Sequence, residues 1–455
     1  MSLLEHEQAQ ALLADTEITA AAMRGCKDRL TQFLQRYLPR FYREEQRELA
    51  SVVVQGKLSG LQRKTSEPIA IAAERERKPV QHFVGAGKWD DEAVMAELRR
   101  HVREALGDPD GIFVIDGSAF PKKGTESCGV ARQWCGRLGK IDNCQVGVFL
   151  SYATVHGYAP LDRQLYLTKE WIADDERRDK CHVPASLVFQ EKWRIGLELL
   201  ERSKDVPHRW VTADDEFGRV TTFRSELRFR RETYVLDVPC NTLVRDLSRG
   251  DDERRPKFER AEVWAKRQPA KRWKTIRVRA GEKGPIKVQV LRARVQTKDE
   301  DGCVGPAETL LVTRTLDQEQ RTAYHVSNAE QTEKTWKLVY VGSERHRVEE
   351  MLQAGKGEVG LGHYEVRSWT GWHHHMTLSL LALWFLVLER RRVGGKNPGG
   401  DGAADARAFQ SFATADAAEL CADRARDQPS VAAQRGGPHL PLLQDHQEVP
   451  AATPA

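Results

Sequence analysis

The chain has 455 residues, 40% of them hydrophobic and 30% charged, which predicts two or three globular domains and excludes a fibrous or wholly disordered polypeptide. Eight cysteines with no C-x-x-C pair are too sparse for a disulfide scaffold and suit a reducing cytosol. The net charge of +5 is too small by itself to imply a polyanionic partner, so its distribution along the chain carries the information.

The segment from Met1 to Asp15 has acids but no basic run ahead of an apolar one, so it does not read as a signal peptide. Apolar residues at three- and four-residue spacing predict helices over Glu17–Tyr42, Glu44–Gln62 and Asp91–Leu106. Residues 1–108 therefore read as a helical N-terminal domain. Basic and aromatic residues interleave from Arg36 to Arg43, a pattern that suits DNA contact or an ordinary bundle surface. No zinc-finger or clear helix-turn-helix spacing is present.

From residue 109 the pattern changes to that of an α/β sheet. Strands are predicted over Ile112–Asp116, Gln145–Thr154 and Arg163–Thr168, with Gly157 to Pro160 turning between the last two. An amphipathic helix over Ser186–Ser203 follows, then a strand over Arg209–Asp214, a helix over Arg219–Phe229 and a strand over Tyr234–Val238. Ligands in open α/β sheets bind at the carboxyl ends of strands. Asp116 and Asp214 are both expected there.

Residues 241–335 are basic. From Arg254 to Arg294 there are fifteen Lys or Arg and three acids. T-I-R-V-R-A and I-K-V-Q-V-L-R-A-R-V alternate apolar and basic residues, and that period of two predicts cations on one sheet face. Trp264 and Trp273 could stack on exposed bases while Lys271, Arg272 and Lys274 meet phosphates; a packed Trp is the plainer reading of either. Lys122 and Lys123, just beyond the first strand, are further candidates for phosphate contact.

A strand over Leu338–Val341, a helix over Arg345–Lys356 and a long apolar helix over Met376–Arg392 complete residues 336–393. The apolar run Leu378–Leu388 falls short of the ~20 residues that cross a bilayer, so no membrane partner is expected. Beyond Gly394 the chain turns rich in Ala, Gly, Pro, Asp and Gln without periodicity. Residues 394–455 read as disordered, either an ordinary tail or a frameshifted end.

Carboxylates converging at one end of a sheet suit phosphodiester chemistry. Their hard oxygen ligands match Mg²⁺ or Mn²⁺, and two such ions can flank the attacking and leaving oxygens. No His or Cys cluster competes for that role. Cys128, Cys135 and Cys144 lack zinc-site spacing, and His373, His374 and His375 are consecutive and cannot share a helix face.

These residues carry a resemblance. V-I-D-G-S-A-F-P-K-K-G-T-E-S-C-G-V-A-R-Q-W-C-G-R-L-G-K, D-N-C-Q-V-G-V-F-L-S-Y-A, R-W-V-T-A-D-D-E-F-G and G-L-G-H-Y-E-V-R-S-W-T-G-W-H-H-H resemble the DDE transposases of bacterial insertion sequences. The group in question is the cut-and-paste one with a Y-R-E-K signature, and the resemblance runs from about Glu44 to Arg392. It implies an RNase H-like catalytic core (109–240 and 336–393) interrupted by a β-strand insertion (241–335). The family's two metal-binding aspartates fall on Asp116 and Asp214. Arg345, Glu349 and Lys356 keep the spacing of the signature's last three members, while Gly342 stands where the Tyr should be and Tyr340 lies two places earlier. Glu349 is then the third carboxylate, with Glu365 the runner-up and Glu350 weaker. Arg345 and Lys356 would hold phosphates, and an aromatic residue of the insertion would stack on a flipped base.

As a whole, the resemblance implies a Mg²⁺-dependent endonuclease and strand transferase acting on double-stranded DNA, both the terminal inverted repeats and the target. A homodimer would bridge two ends in a synaptic complex, in the cytoplasm and on the nucleoid. An RNase H-like nuclease without strand transfer, or a decayed copy that only binds DNA, are the alternatives.

Overall fold

The computed structural model describes residues 25–136, 138–248, 257–281, 284–299 and 302–393. The expected tail over 394–455, and the start of the helix expected from Glu17, lie outside the described residues.

The N-terminal helices are α1 (Cys26–Gln35), α2 (Glu44–Leu58), α3 (Ser66–Ala72), α4 (Arg77–Gly85) and α5 (Asp91–Leu106). In α5 the Asp90 side chain accepts from the backbone N–H groups of Glu92 and Ala93, while Val94, Leu98 and Val102 form its buried stripe. Helices α3 and α4 went unforeseen because two turns are too short to show a period. Pro68 and Pro79 sit in their first turns, where a missing N–H removes no intrahelical bond. All five share a core with the C-terminal helix α13 (Trp369–Arg392), whose residues from Gly371 to Val387 are buried. Trp89 stacks on His374 at 3.7 Å between ring centroids, and Phe33 meets Phe385 edge-on at 5.3 Å.

The sheet begins with β1 (Ile112–Pro121), β2 (Ala131–Cys135), β3 (Lys140–Thr154) and β4 (Gly157–Tyr166). Short helices α6 (Lys169–Ala173) and α7 (Asp175–Lys180) lead to α8 (Lys192–Arg202), β5 (Trp210–Ala213), α9 (Asp215–Gly218), α10 (Thr221–Phe229) and β6 (Thr233–Asp237). β1 is antiparallel to β3 and parallel to β5, which is parallel to β6. Beyond β6 the same sheet continues antiparallel through β12 (Thr322–Ser327), β11 (Val304–Thr315), β10 (Gly284–Lys298), β7 (Leu243–Asp246) and β8 (Glu259–Arg260). β9 (Lys274–Gly281) adds to β10, and α11 (Ala261–Lys266) follows β8. The result is a mixed α/β architecture with one large, mostly antiparallel sheet, consistent with the RNase H-like core that the resemblance implies.

Five sequence expectations need correction. Leu338–Val341 is not a strand but part of helix α12 (Thr335–Glu358), since four apolar residues show no period to separate the two. β1 runs past Asp116 to Pro121, and Gly157 to Pro160 belong to β4 rather than to a turn. The helix expected from Ser186 starts only at Lys192. The cations of β10 do not all share a face: Lys287 and Arg292 are five residues apart, and an odd separation puts them on opposite sides. Register places Lys287 beside Arg277 but Arg292 beside Leu311.

Candidate active site

Strand register brings the first two candidates together. The last paired residues of β1 and β5 are Ile115 and Ala213, so Asp116 and Asp214 follow one step on, across a strand spacing of about 4.8 Å. Asp214 also caps α9, accepting from the N–H groups of Glu216 and Phe217 at 3.1 and 3.4 Å. Extending the pairing of Val211 with Tyr234 by three residues places Asp237 beside Asp214. On three neighbouring parallel strands an acid thus stands at one level: Asp116 where the pairing of β1 with β5 stops, Asp214 just past β5 and Asp237 at the end of β6.

Glu349 arrives from the other side. On α12, Arg345, Glu349 and Lys356 project from one face and line a cavity of about 820 Å³ together with Asp116, Asp214, Glu216 and Lys192. The Arg345 guanidinium is the hub of the charges. Its Nε lies 2.9 Å from Asp237, and Nη1 donates to Glu349. Burial would lower its pKa, but Asp237, Glu349, Asp116 and Asp214 more than offset this and raise it.

The carboxylates differ in how they are compensated. Burial, then repulsion from Asp214, pushes the Asp116 carboxyl up to about 7. Burial, then the nearby Glu216 carboxylate, pushes Asp214 up to about 6. Asp237 is half-buried, which alone would raise it, yet His325, 2.6 Å away, and Arg345 hold it below the usual carboxylate range. Hydrogen bonding from His346 lowers Glu349, with Arg345 adding to the effect.

Asp116 and Asp214 thus carry negative charge that nothing nearby fully balances, and their oxygen donors suit a hard divalent cation. The fit is partial in one respect. Among the described residues no three His, Cys, Asp or Glu stand close enough together to form a ready metal-ligand group. Glu349 lines the same cavity with its carboxylate engaged by Arg345 and His346.

The remaining candidates lie elsewhere. Glu365 pairs with Arg63 and lines a separate cavity of about 270 Å³, and Glu350 faces His346 at 3.2 Å. Lys122 sits 3.4 Å over the Tyr364 ring and donates to the Tyr364 carbonyl, while Lys123 is exposed. Trp264 is 2% exposed and its indole N–H donates to Asp246 at 2.9 Å, which leaves no ring face open to a base. Trp273 is half-buried, with the Arg314 guanidinium 4.2 Å from its ring centroid. Lys271 and Lys274 are exposed, and Arg272 donates to Gln268. None of these residues lines the carboxylate cavity. At Gly342, an added Cβ would already stand 3.4 Å from His325, so His325 fills the space a larger side chain would need. Tyr340, two residues earlier, points about 200° away around the helix.

Sequence reasoning missed Asp237, His325, Lys192 and Trp134, which also lines the cavity. Asp237 obeys the rule that found Asp116 and Asp214, but the strand was expected to run one residue past it. His325 comes from a strand distant in sequence and carries no local signal.

Comparison with known proteins agrees with this architecture. The family described as DDE superfamily endonuclease matches residues 36–290, more than half of the chain; the match includes Asp116, Asp214 and Asp237 and ends before Glu349. A protein of Microchaete diplosiphon named "Probable transposase for insertion sequence element IS701" is 30% identical over 198 residues. That alignment covers 43% of this chain and 49% of the relative, so the match spans about half of the relative's length.

Proposed function

The chain belongs to the DDE superfamily endonucleases, and from that premise we propose that it is an insertion-sequence transposase of the Y-R-E-K group that cleaves double-stranded DNA and joins the freed end to a target. The observation that supports this reading best is the meeting of Asp116 and Asp214 just past the last parallel pairing of β1 with β5, in the cavity that Glu349 enters from α12.

Asp116 and Asp214 would hold Mg²⁺ or Mn²⁺, with Glu349 completing the set after release from Arg345. Bound there, the divalent ions supply charge stabilisation and activation of the attacking oxygen. Lys356, whose Nζ lies 3.5 Å from the Ala119 carbonyl, and Lys192 place positive charge on the cavity wall where a phosphodiester would lie. Arg345 would turn from Glu349 toward that phosphate, while Asp237 and His325 keep its guanidinium in the cavity. Deep burial of Asp116 limits access of bulk water. The N-terminal helices would recognise the element's terminal repeats, and two protomers would pair two ends.

The test uses the full chain and a supercoiled plasmid carrying its coding sequence with the natural flanking DNA. Asp116→Asn and Glu349→Gln are each expected to abolish Mg²⁺-dependent nicking and joining while a gel shift persists. Parental cutting by both variants would end the metal-site assignment. Cutting without joined products would instead identify a hydrolytic nuclease. A gel shift without cleavage in Mg²⁺ or Mn²⁺ would mark a DNA-binding protein that does not cut.

A further inference from the structure

Two cysteines far apart in the chain meet in the core. Cys128 lies in the connection between β1 and β2, and Cys181 directly follows α7. Both are buried, with 0% and 3% of their surface exposed. The Cys128 thiol donates a hydrogen bond to the Cys181 sulfur. One short segment entering α13 holds both backbones. The Cys128 N–H donates to the Arg367 carbonyl, and the Trp369 N–H donates to the Cys181 carbonyl, each at 2.8 Å. The Cys181 sulfur also stands 3.6 Å from the Glu126 carbonyl, two residues before Cys128. Among the described residues no third metal-binding side chain joins the two thiols, so the pair has the makeup of a disulfide site and not of a zinc site.

The two sulfurs differ in character. The hydrogen bond from Cys128 holds the Cys181 thiol below its usual pKa, and the Arg177 guanidinium and Lys180 ammonium add to the effect against burial. Cys128, which gives its proton to that bond and is buried, is raised instead. A thiolate-prone sulfur beside a protonated one is the arrangement of an attacking and a resolving cysteine. Cys26 and Cys144 lie at the other extreme, each pushed up to about 11 by burial. Cys181 is also close to solvent along the chain, because its neighbour Lys180 forms an exposed ion pair with Glu126.

We propose that Cys128 and Cys181 form a reversible intrachain disulfide when the protein meets a hydroperoxide. This goes beyond the DNA-cleaving reading and does not depend on it. The Cys181 sulfur attacks one peroxide oxygen, the O–O bond breaks, and one water leaves, which makes Cys181 a sulfenic acid. The Cys128 sulfur then attacks the Cys181 sulfur, and its own proton departs with the displaced oxygen as a second water. Two thiols are oxidised by two electrons and one hydrogen peroxide is reduced by two. The new bond joins the β1–β2 connection, which carries Lys122 and Lys123, to the end of α7. A dithiol reductant reopens it by exchange.

The experiment uses the full chain, folded and reduced, treated with hydrogen peroxide near molar equivalence. Remaining thiols are capped with N-ethylmaleimide, and the digest is read by mass spectrometry without reductant. The expected result is a loss of two capped thiols per chain and a linked peptide pair carrying Cys128 and Cys181, lighter by two hydrogens than its two peptides together. Dithiothreitol should restore both thiols. In Cys128→Ser, dimedone should trap a sulfenic acid on Cys181, whereas in Cys181→Ser it should trap none on Cys128. Full capping of both cysteines in the parent, at a peroxide dose that oxidises the exposed Cys240 and Cys303, would overturn the proposal. So would a bridge from either cysteine to a different one, or conversion of Cys181 to a sulfinic acid with no bridge formed. The parent chain carries the deciding measurement, so a variant that fails to fold leaves the test intact.

Discussion

Two carboxylate clusters in this chain use the same residue types to opposite ends. Asp162, in the interior of β4, is fully buried and met by three guanidinia: Arg99 at 3.1 Å, Arg163 at 3.3 Å and Arg202 at 2.8 Å. Arg163 also pairs with Asp91 and donates to Thr377 of α13 at 2.8 Å. Helices α5, α8 and α13 are thereby tied to one strand. Around Asp116 the balance is reversed, because one guanidinium, Arg345, is shared among four acids. The first cluster is closed and structural. The second keeps an excess of negative charge facing a cavity, which costs stability and leaves room for a cation.

The sharpest way to break this contrast is to remove one acid from each cluster. Asp162→Asn strips three guanidinia, two of them buried, of their shared partner and should destabilise the fold by about 3–5 kcal/mol, read from urea denaturation. A loss below about 1 kcal/mol would show that the cluster is not the tie described here.

Asp116→Asn should act in the other direction. A carboxyl raised from 3.8 to about 7 binds its proton more tightly in the folded state. Stability from this group is therefore complete at low pH and lost as the pH rises from about 4 through about 7. The loss at pH 8 is at most about 4 kcal/mol. In a chelating buffer the parent should thus melt lower at pH 8 than Asp116→Asn does, and the gap should close near pH 4. Added Mg²⁺ should raise the melting temperature of the parent more than that of the variant. Identical pH profiles for parent and variant would show that Asp116 is compensated after all.

The smallest expected effect sharpens the comparison within the site. Asp237 is compensated where Asp116 is not, and it acts through Arg345. Asp237→Asn should slow nicking roughly tenfold, as loss of an orienting partner does, with little change in gel-shift affinity. A parallel fall in affinity would mean that Asp237 shapes the DNA surface instead.

The two halves of the site were not equally legible in the sequence. Asp116 and Asp214 each follow a short apolar β run, so local pattern raises them as a pair of candidates, although β1 itself continues past Asp116. Glu349 needed the family resemblance, whose signature Arg345 and Lys356 match in spacing, since a helical Glu between cations otherwise reads as a surface ion pair. The period-two pattern of the basic region identified strands but misjudged their faces, because a five-residue step changes parity midway along β10. Trp264 and Trp273 stood out by composition, yet one is enclosed beside Asp246 and the other lies against Arg314.

By itself the sequence determined the α/β class, most of the strands and helices around the site and the candidacy of Asp116 and Asp214. These depend on hydrophobic period and on residues adjacent in the chain. Only the tertiary structure decided that Asp237 joins them, that His325 and Arg345 hold it, and that Trp134 lines the cavity. Each of these follows from strand order and register, which pair residues far apart in sequence and leave no periodic trace along it.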